Sequence, residues 1–149
     1  MNTSMSLSSG LLHSPIFDAL IVGAGPAGLA AALALGRINR SALVFDSGVY
    51  RNDGAAAMHT VLSRDGTAPD EYRRIARQQI EDNYKHIAFR AQTVVQLAKT
   101  DIDQKGYQGF QATDDASQSF RGRRLVLATG TQDVLPDIPG YRENWPEHM

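Results

Sequence analysis

The chain has 149 residues, 42% hydrophobic and 21% charged, a soluble-globular composition with length for one domain and its core but not for two full domains. With 15 Lys+Arg against 16 Asp+Glu the formal net charge is -1, which leaves no basic footprint for a nucleic-acid backbone. There is no cysteine, so disulfides, thiolate zinc ligands, a thiol nucleophile and a Cys-x-x-Cys redox pair are excluded from this chain's own chemistry.

Residues 1–15 are Ser-rich, without a basic stretch or a sustained apolar run, and read as a flexible leader. No apolar run reaches the roughly 18 residues that span a bilayer, so a soluble, cytoplasmic protein with no membrane partner is expected. Residues 17–22 (Phe-Asp-Ala-Leu-Ile-Val) form a short apolar run that stops at glycine, the pattern of a buried parallel strand. Residues 26–37 are rich in alanine and leucine with proline at the start, and predict a helix that is small where it must approach a sheet. Residues 41–46 (Ser-Ala-Leu-Val-Phe-Asp) predict a second apolar strand ending in a carboxylate. Strand, helix and strand make one βαβ unit with a right-handed crossover.

Residues 47–66 carry the turn chemistry of Gly48, Asn52, Asp53-Gly54 and Asp65-Gly66, and read as a long loop that carries function. Thr67 and Asp70 have capping-box spacing, and Tyr72, Ile75, Ala76, Ile80 and Tyr84 follow a helical period; Arg73, Arg74, Arg77 and Glu81 are expected to face water. After Lys85 the period becomes two. Ile87, Phe89 and Ala91, then Val95 and Leu97, are expected to be the inward residues of half-buried strands. A polar turn at 101–106, weaker strands at 107–112 and 119–120 and an apolar strand at 124–128 complete a small antiparallel meander feeding one more core strand. The expected architecture is α/β and three-layered: a Rossmann-type parallel sheet over residues 16–141, one crossover helix on one face and the meander on the other. Residues 142–149 read as a turn-rich tail.

Gly23-Ala24-Gly25-Pro26-Ala27-Gly28 is a Gly-x-Gly-x-x-Gly pattern. Alone it is weak, but here it follows a strand, opens a helix, and is answered by Asp46 at the end of the next strand, 18 residues beyond Gly28. In that setting Gly23 permits a tight turn, Gly25 lets a diphosphate approach the backbone and Gly28 lets helix and strand pack closely. The diphosphate meets free N–H groups and the positive end of the helix, and Asp46 accepts hydrogen bonds from a ribose while disfavouring a 2′-phosphate.

These segments, with Leu-Val-Phe-Asp-Ser-Gly-Val-Tyr-Arg-Asn (43–52), Met58-His59 and Leu-Val-Leu-Ala-Thr-Gly (125–130), resemble the FAD-binding half of thioredoxin-reductase-like flavoproteins, the class II pyridine nucleotide-disulfide oxidoreductases. Within that class they are most similar to the fungal group acting on disulfides of gliotoxin-type secondary metabolites. The resemblance runs from about Phe17 to Tyr141. It implies that residues Gly23 to Gly28 hold the FAD diphosphate and Asp46 the adenosine ribose. It also implies that the stretch from Ser47 to Asn52 lines the cofactor, with Arg51 near the adenosine side and His59 facing the flavin end. Val94 would meet adenine through its backbone, and Ala128, Thr129 and Gly130 would close over the pyrophosphate. Many relatives carry Glu where Asp46 stands. Such enzymes also have an NADPH-binding domain with the Cys-x-x-Cys pair and a later Gly-Asp segment, neither of which is in this sequence. The expectation is therefore the N-terminal FAD-binding portion of such an enzyme or a shortened relative, lacking full disulfide-reductase activity by itself. Its open sheet edges would be covered by a second copy or another chain.

The other candidates have plainer readings. His13, His59, His86 and His148 lack metal-ligand spacing, so no metal is expected. Arg121, Arg123 and Arg124 read as a solvated strand edge, and Asp101/Asp103 and Asp114/Asp115 as turn residues rather than paired acids. Two functions stay open: a FAD-dependent oxidoreductase acting on a small-molecule substrate, or a non-redox relative. The second would use the old nucleotide groove for acid–base catalysis with His59, Arg51 or Asp46, or to bind a metabolite or partner.

Overall fold

The computed structural model describes residues 15–102 and 106–145. The leader over residues 1–14, positions 103–105 of the expected turn and the last four residues of the expected tail lie outside the described residues.

The βαβ unit forms as its sequence dictates. Strand β1 (Ile16–Val22) and strand β2 (Ala42–Phe45) pair in parallel, joined by helix α1 (Pro26–Arg37). Their near-continuous apolar runs are explained by burial on both faces. Ala19 and Ile21 of β1 and Val44 of β2 meet Leu29 and Ala32 of α1, whereas Leu20, Leu43 and Phe45 point the other way.

Beyond β2 the structure departs from the expected layout. Helix α2 (Pro69–Asn83) is a second crossover helix, since the strand after it, β3 (Ile87–Arg90), extends the parallel sheet beside β2 instead of opening the meander. Ile80 and Tyr84 carry α2 onto the same core as α1, and Tyr84 lies so close to Gly36 that a Cβ there would come within 2.7 Å of its ring. The capping box does not form. Ala68 occupies the cap without a side-chain bond, because Thr67 is spent on the loop: its carbonyl accepts the Met58 N–H at 2.8 Å and its own N–H bonds the Arg64 carbonyl.

Strands β4 (Val94–Asp101), β5 (Gln108–Asp114) and β6 (Ser119–Leu127) form the meander. The two strands expected at 119–120 and 124–128 are one. Its first residues pair antiparallel with β5, and from Arg121 onward it runs parallel to β1, giving the order β3-β2-β1-β6-β5-β4. The meander also covers the second face of the sheet, where Ala112, Phe120 and Val94 join Leu20, Leu43 and Phe45; Phe45 and Phe120 meet edge to face at 5.7 Å. Gly122 sits where β6 crosses β1, and a Cβ there would lie 2.7 Å from Leu20. Val95 and Leu97 do not point inward as their alternation suggested. A register shift between Val94 and Gln96 turns Val94 to the core and leaves Val95 63% exposed on the outermost strand.

Two charged residues are also placed differently. Arg121 is buried while Arg123 and Arg124 face solvent. Asp114 does form the turn, accepting the Gln118 N–H at 2.8 Å, yet its side chain is fully buried and paired with Arg90 Nε at 2.6 Å. Burial works against its charge, but the Gln118 amide and the Arg90 guanidinium outweigh that and hold its carboxyl below the ordinary 3.8. A depressed carboxyl stabilises the fold fully above its ordinary pKa and loses that contribution as the pH falls through the lowered value. Asp114→Asn should therefore flatten the fall in melting temperature below about pH 4, measured by thermal scans from pH 5 downward. An unchanged acid slope would remove Asp114 as its source.

Among the described residues, no helix is long and apolar enough to cross a membrane.

Candidate functional site

From β1 the chain steps outward to β2 and β3, then returns to β6 on the other side of β1. In open α/β sheets ligands bind outside the carboxyl ends of the strands at such a reversal. A groove of about 1240 Å³ lies there, walled by the ends of β1, β2 and β6 and the start of α1. Pockets for drug-sized ligands run about 300–1,000 Å³, so this groove has room for a dinucleotide.

Its floor is the Gly-x-Gly-x-x-Gly turn, where each glycine has a separate geometric reason. Gly23 has φ +107°, and a Cβ on it would lie 2.2 Å from the Ala128 carbonyl oxygen. This close crossing lets the Ala128 N–H bond Val22 and brings the Ala128-Thr129-Gly130 segment against the turn. Gly28 packs beneath the turn: a Cβ there would stand 1.8 Å from the Gly23 carbonyl oxygen. Gly25 is the opposite case. A Cβ on it would meet nothing within 4 Å, because that face opens into the groove.

Gly25 is also the N-cap of α1, with no side-chain bond to the first turn and no acidic residue within it. Helix α2, by contrast, carries Asp70 and Glu71 in its first turn. The early N–H groups of α1 thus have neither an intrahelical partner nor a neutralising carboxylate, which is the electrostatic setting that favours an anion. Pro26 and Ala27 continue the floor, and Ala24 packs into the core behind it.

At the next strand end, Asp46 lines the groove. Its Oδ1 accepts the Gly48 N–H at 3.0 Å and the Tyr50 hydroxyl at 2.6 Å, and Arg77 Nη1 stands 3.9 Å from Oδ2. The Arg73 guanidinium lies 3.7 Å from the centre of the Tyr50 ring and bonds Asn52 Oδ1 and Asp53 Oδ1, both at 3.0 Å. Arg73 is only 12% exposed, and Arg77 lies over Phe89. Arg73 therefore does not face water as the helical period suggested and ties the loop after β2 to α2, whereas Arg77 keeps a partly exposed side chain, 38%, between Phe89 and Glu81. Burial, then the hydrogen bond to Asp46 and its charge, push the Tyr50 phenol up to about 12, so it remains a donor throughout the neutral range.

Ser47, Arg51, Val94, Thr129 and Gly130 all line the groove with Asp46. Arg51 forms a two-point ion pair with Asp133, at 3.0 and 3.2 Å, which links the loop after β2 to the segment after β6. His59 is not among the lining residues. Its ring is 72% exposed and stands 3.7 Å from Asp65 Oδ1, on the loop closed by the Met58–Thr67 bond. Sequence reasoning missed the far wall, formed by Thr131, Gln132, Asp133, Val134 and Leu135 with Arg142 and Trp145. No periodicity marks this stretch, and Arg142 and Trp145 fall in residues expected to be a tail. Tyr141 and Trp145 stack there at 6.4 Å.

Comparison with known proteins agrees with this geometry. Thioredoxin reductase tcpT of Claviceps purpurea is 50% identical over 133 residues, and thioredoxin reductase sirT of Leptosphaeria maculans 43% over 134. These matches take 89% and 90% of this chain but 40% of each relative, so the chain spans about two-fifths of their length. Among solved structures, an oxidoreductase from Agrobacterium tumefaciens superposes with a TM-score of 0.79 at 37% identity, over 87% of this chain and 42% of that one. A putative thioredoxin reductase TrxB from Bacillus anthracis gives 0.76 at 33% identity, over 85% and 40%. The pyridine nucleotide-disulphide oxidoreductase model matches residues 17–149, and the chain belongs to that family.

Proposed function

We propose that this chain binds FAD through its adenosine diphosphate half and serves as the cofactor-binding part of a thioredoxin-reductase-like oxidoreductase. The observation that carries this reading is the open face of Gly25 at the uncapped start of α1, set between a strand-end carboxylate and the Ala128-Thr129-Gly130 crossing. The amides between Gly23 and Gly28 would hold the diphosphate, Asp46 the ribose, Val94 the adenine, and the 128–130 segment would close the other side. Members of this family bind FAD, and bound flavin supplies reversible two-electron transfer.

Thiol–disulfide exchange needs thiols that this chain does not carry, so a disulfide substrate would be reduced or oxidised only with cysteines from another polypeptide segment or partner. We place a second copy or another chain at the sheet's outer edge, where β4 has one paired neighbour and Val95 is exposed.

Calorimetric titration with FAD, ADP and FMN tests the reading. FAD and ADP should bind with one site per chain, whereas FMN, which lacks the adenosine and second phosphate, should bind at least about tenfold more weakly. Equal binding of FMN and FAD would contradict an adenosine diphosphate site.

A further inference from the structure

We propose that Tyr50 is a positioning residue: its hydroxyl holds the Asp46 carboxylate so that Oδ2 is the oxygen presented to an adenosine ribose. The inference rests on the reading that the groove takes the adenosine diphosphate half of FAD. Both hydrogen bonds that fix Asp46, from the Gly48 N–H and the Tyr50 hydroxyl, fall on Oδ1. Oδ2 accepts neither, and Asp46 and Tyr50 both line the groove.

The tyrosine is itself held rigidly. Its ring lies under the Arg73 guanidinium at 3.7 Å, and that guanidinium is anchored by Asn52 and Asp53. The Tyr50 N–H reaches Asp53 Oδ2 at 3.4 Å, so backbone and ring are fixed by the same cluster. A short carboxylate side chain held at one oxygen keeps a single orientation at little further entropic cost when ligand arrives. Without the hydroxyl, Oδ1 keeps the Gly48 N–H alone, with Arg77 Nη1 3.9 Å from Oδ2, so the carboxyl turns more freely about its last bond and the ribose must order more of it on binding.

ADP and 2′-deoxy-ADP titrated into the wild type, Tyr50→Phe, Asp46→Ala and the double variant separate positioning from a plain wall. The wild type should favour ADP about tenfold, the worth of a ribose hydroxyl bonded to a carboxylate. Tyr50→Phe keeps the ring under Arg73 and should cost about fivefold for ADP but less than about twofold for 2′-deoxy-ADP. In the Asp46→Ala background the same change should cost nothing further. Arg73→Met, which loosens the ring while leaving both groove residues, should narrow the preference in the same direction. A Tyr50→Phe protein that keeps its full preference, or loses both nucleotides equally, overturns the positioning role and leaves the nucleotide site standing. A wild type that binds neither nucleotide overturns the site, and the inference with it.

Discussion

Gly25→Val is expected to abolish FAD retention, with at least about a 100-fold loss of affinity, while the protein still folds and unfolds cooperatively. The position separates binding from stability unusually cleanly. Its backbone, φ -69° and ψ -177°, is extended geometry open to any residue, and a Cβ there meets nothing within 4 Å. Valine is a poor N-cap, but glycine supplies no side-chain bond to lose, so the stability cost should stay near 1 kcal/mol. The isopropyl group instead fills the space beside the free N–H groups of α1 where a diphosphate must come within hydrogen-bonding distance. Flavin absorbance after gel filtration, with a thermal melt of the same sample, measures both effects. Flavin retained by a well-folded variant would place the diphosphate elsewhere.

Gly28→Ala should do the reverse, damaging the fold before it touches a ligand. One methyl group would stand 1.8 Å from the Gly23 carbonyl oxygen and 2.9 Å from its carbon, and both are backbone atoms of the turn. Gly23 cannot retreat, because its other side is crossed by Ala128 at 2.2 Å from a notional Cβ. Relief requires moving α1 away from the sheet or opening the Val22–Ala128 pairing, and either loosens Leu29 and Ala32 from Ala19 and Ile21. Overpacking of this kind costs about 3 kcal/mol or more, a large share of an ordinary domain's stability. A fall in melting temperature of about 10 °C is the corresponding result. A Gly28→Ala protein melting within about 2 °C of the wild type would show that the turn is not packed in this way.

The contrast between these glycines was legible in the sequence because strand, turn, helix and carboxylate occur at a spacing that only one local geometry satisfies. The apolar runs at 17–22 and 41–46 carried the rest, since strands buried on both faces have few competing placements. Legibility faded where side-chain period stopped deciding partners. The alternation of Ile87 and Phe89 suggested a strand of the antiparallel meander, yet they form the parallel edge strand of the sheet because α2 returns the chain beside β2. Alternation likewise placed Val95 and Leu97 inside, and one register shift beside Val94 reversed the face. Arg73 and Arg77 look solvated on a helical wheel, and only the path of the loop after β2 brings Tyr50 under Arg73 and Asp46 near Arg77, while β3 brings Phe89 under Arg77. The wall from Thr131 to Leu135 had no signal at all, being irregular chain positioned by where β6 ends. His59 followed from resemblance alone, and the loop holds it beside Asp65.

The most direct test of the account is the visible absorption spectrum of the purified protein after incubation with FAD and removal of free flavin. A flavin band at about one FAD per chain, released into the supernatant on heat denaturation, is the predicted result. No retained flavin at any excess of FAD, from a protein that unfolds cooperatively, would contradict it and leave the glycine turn as architecture without its cofactor.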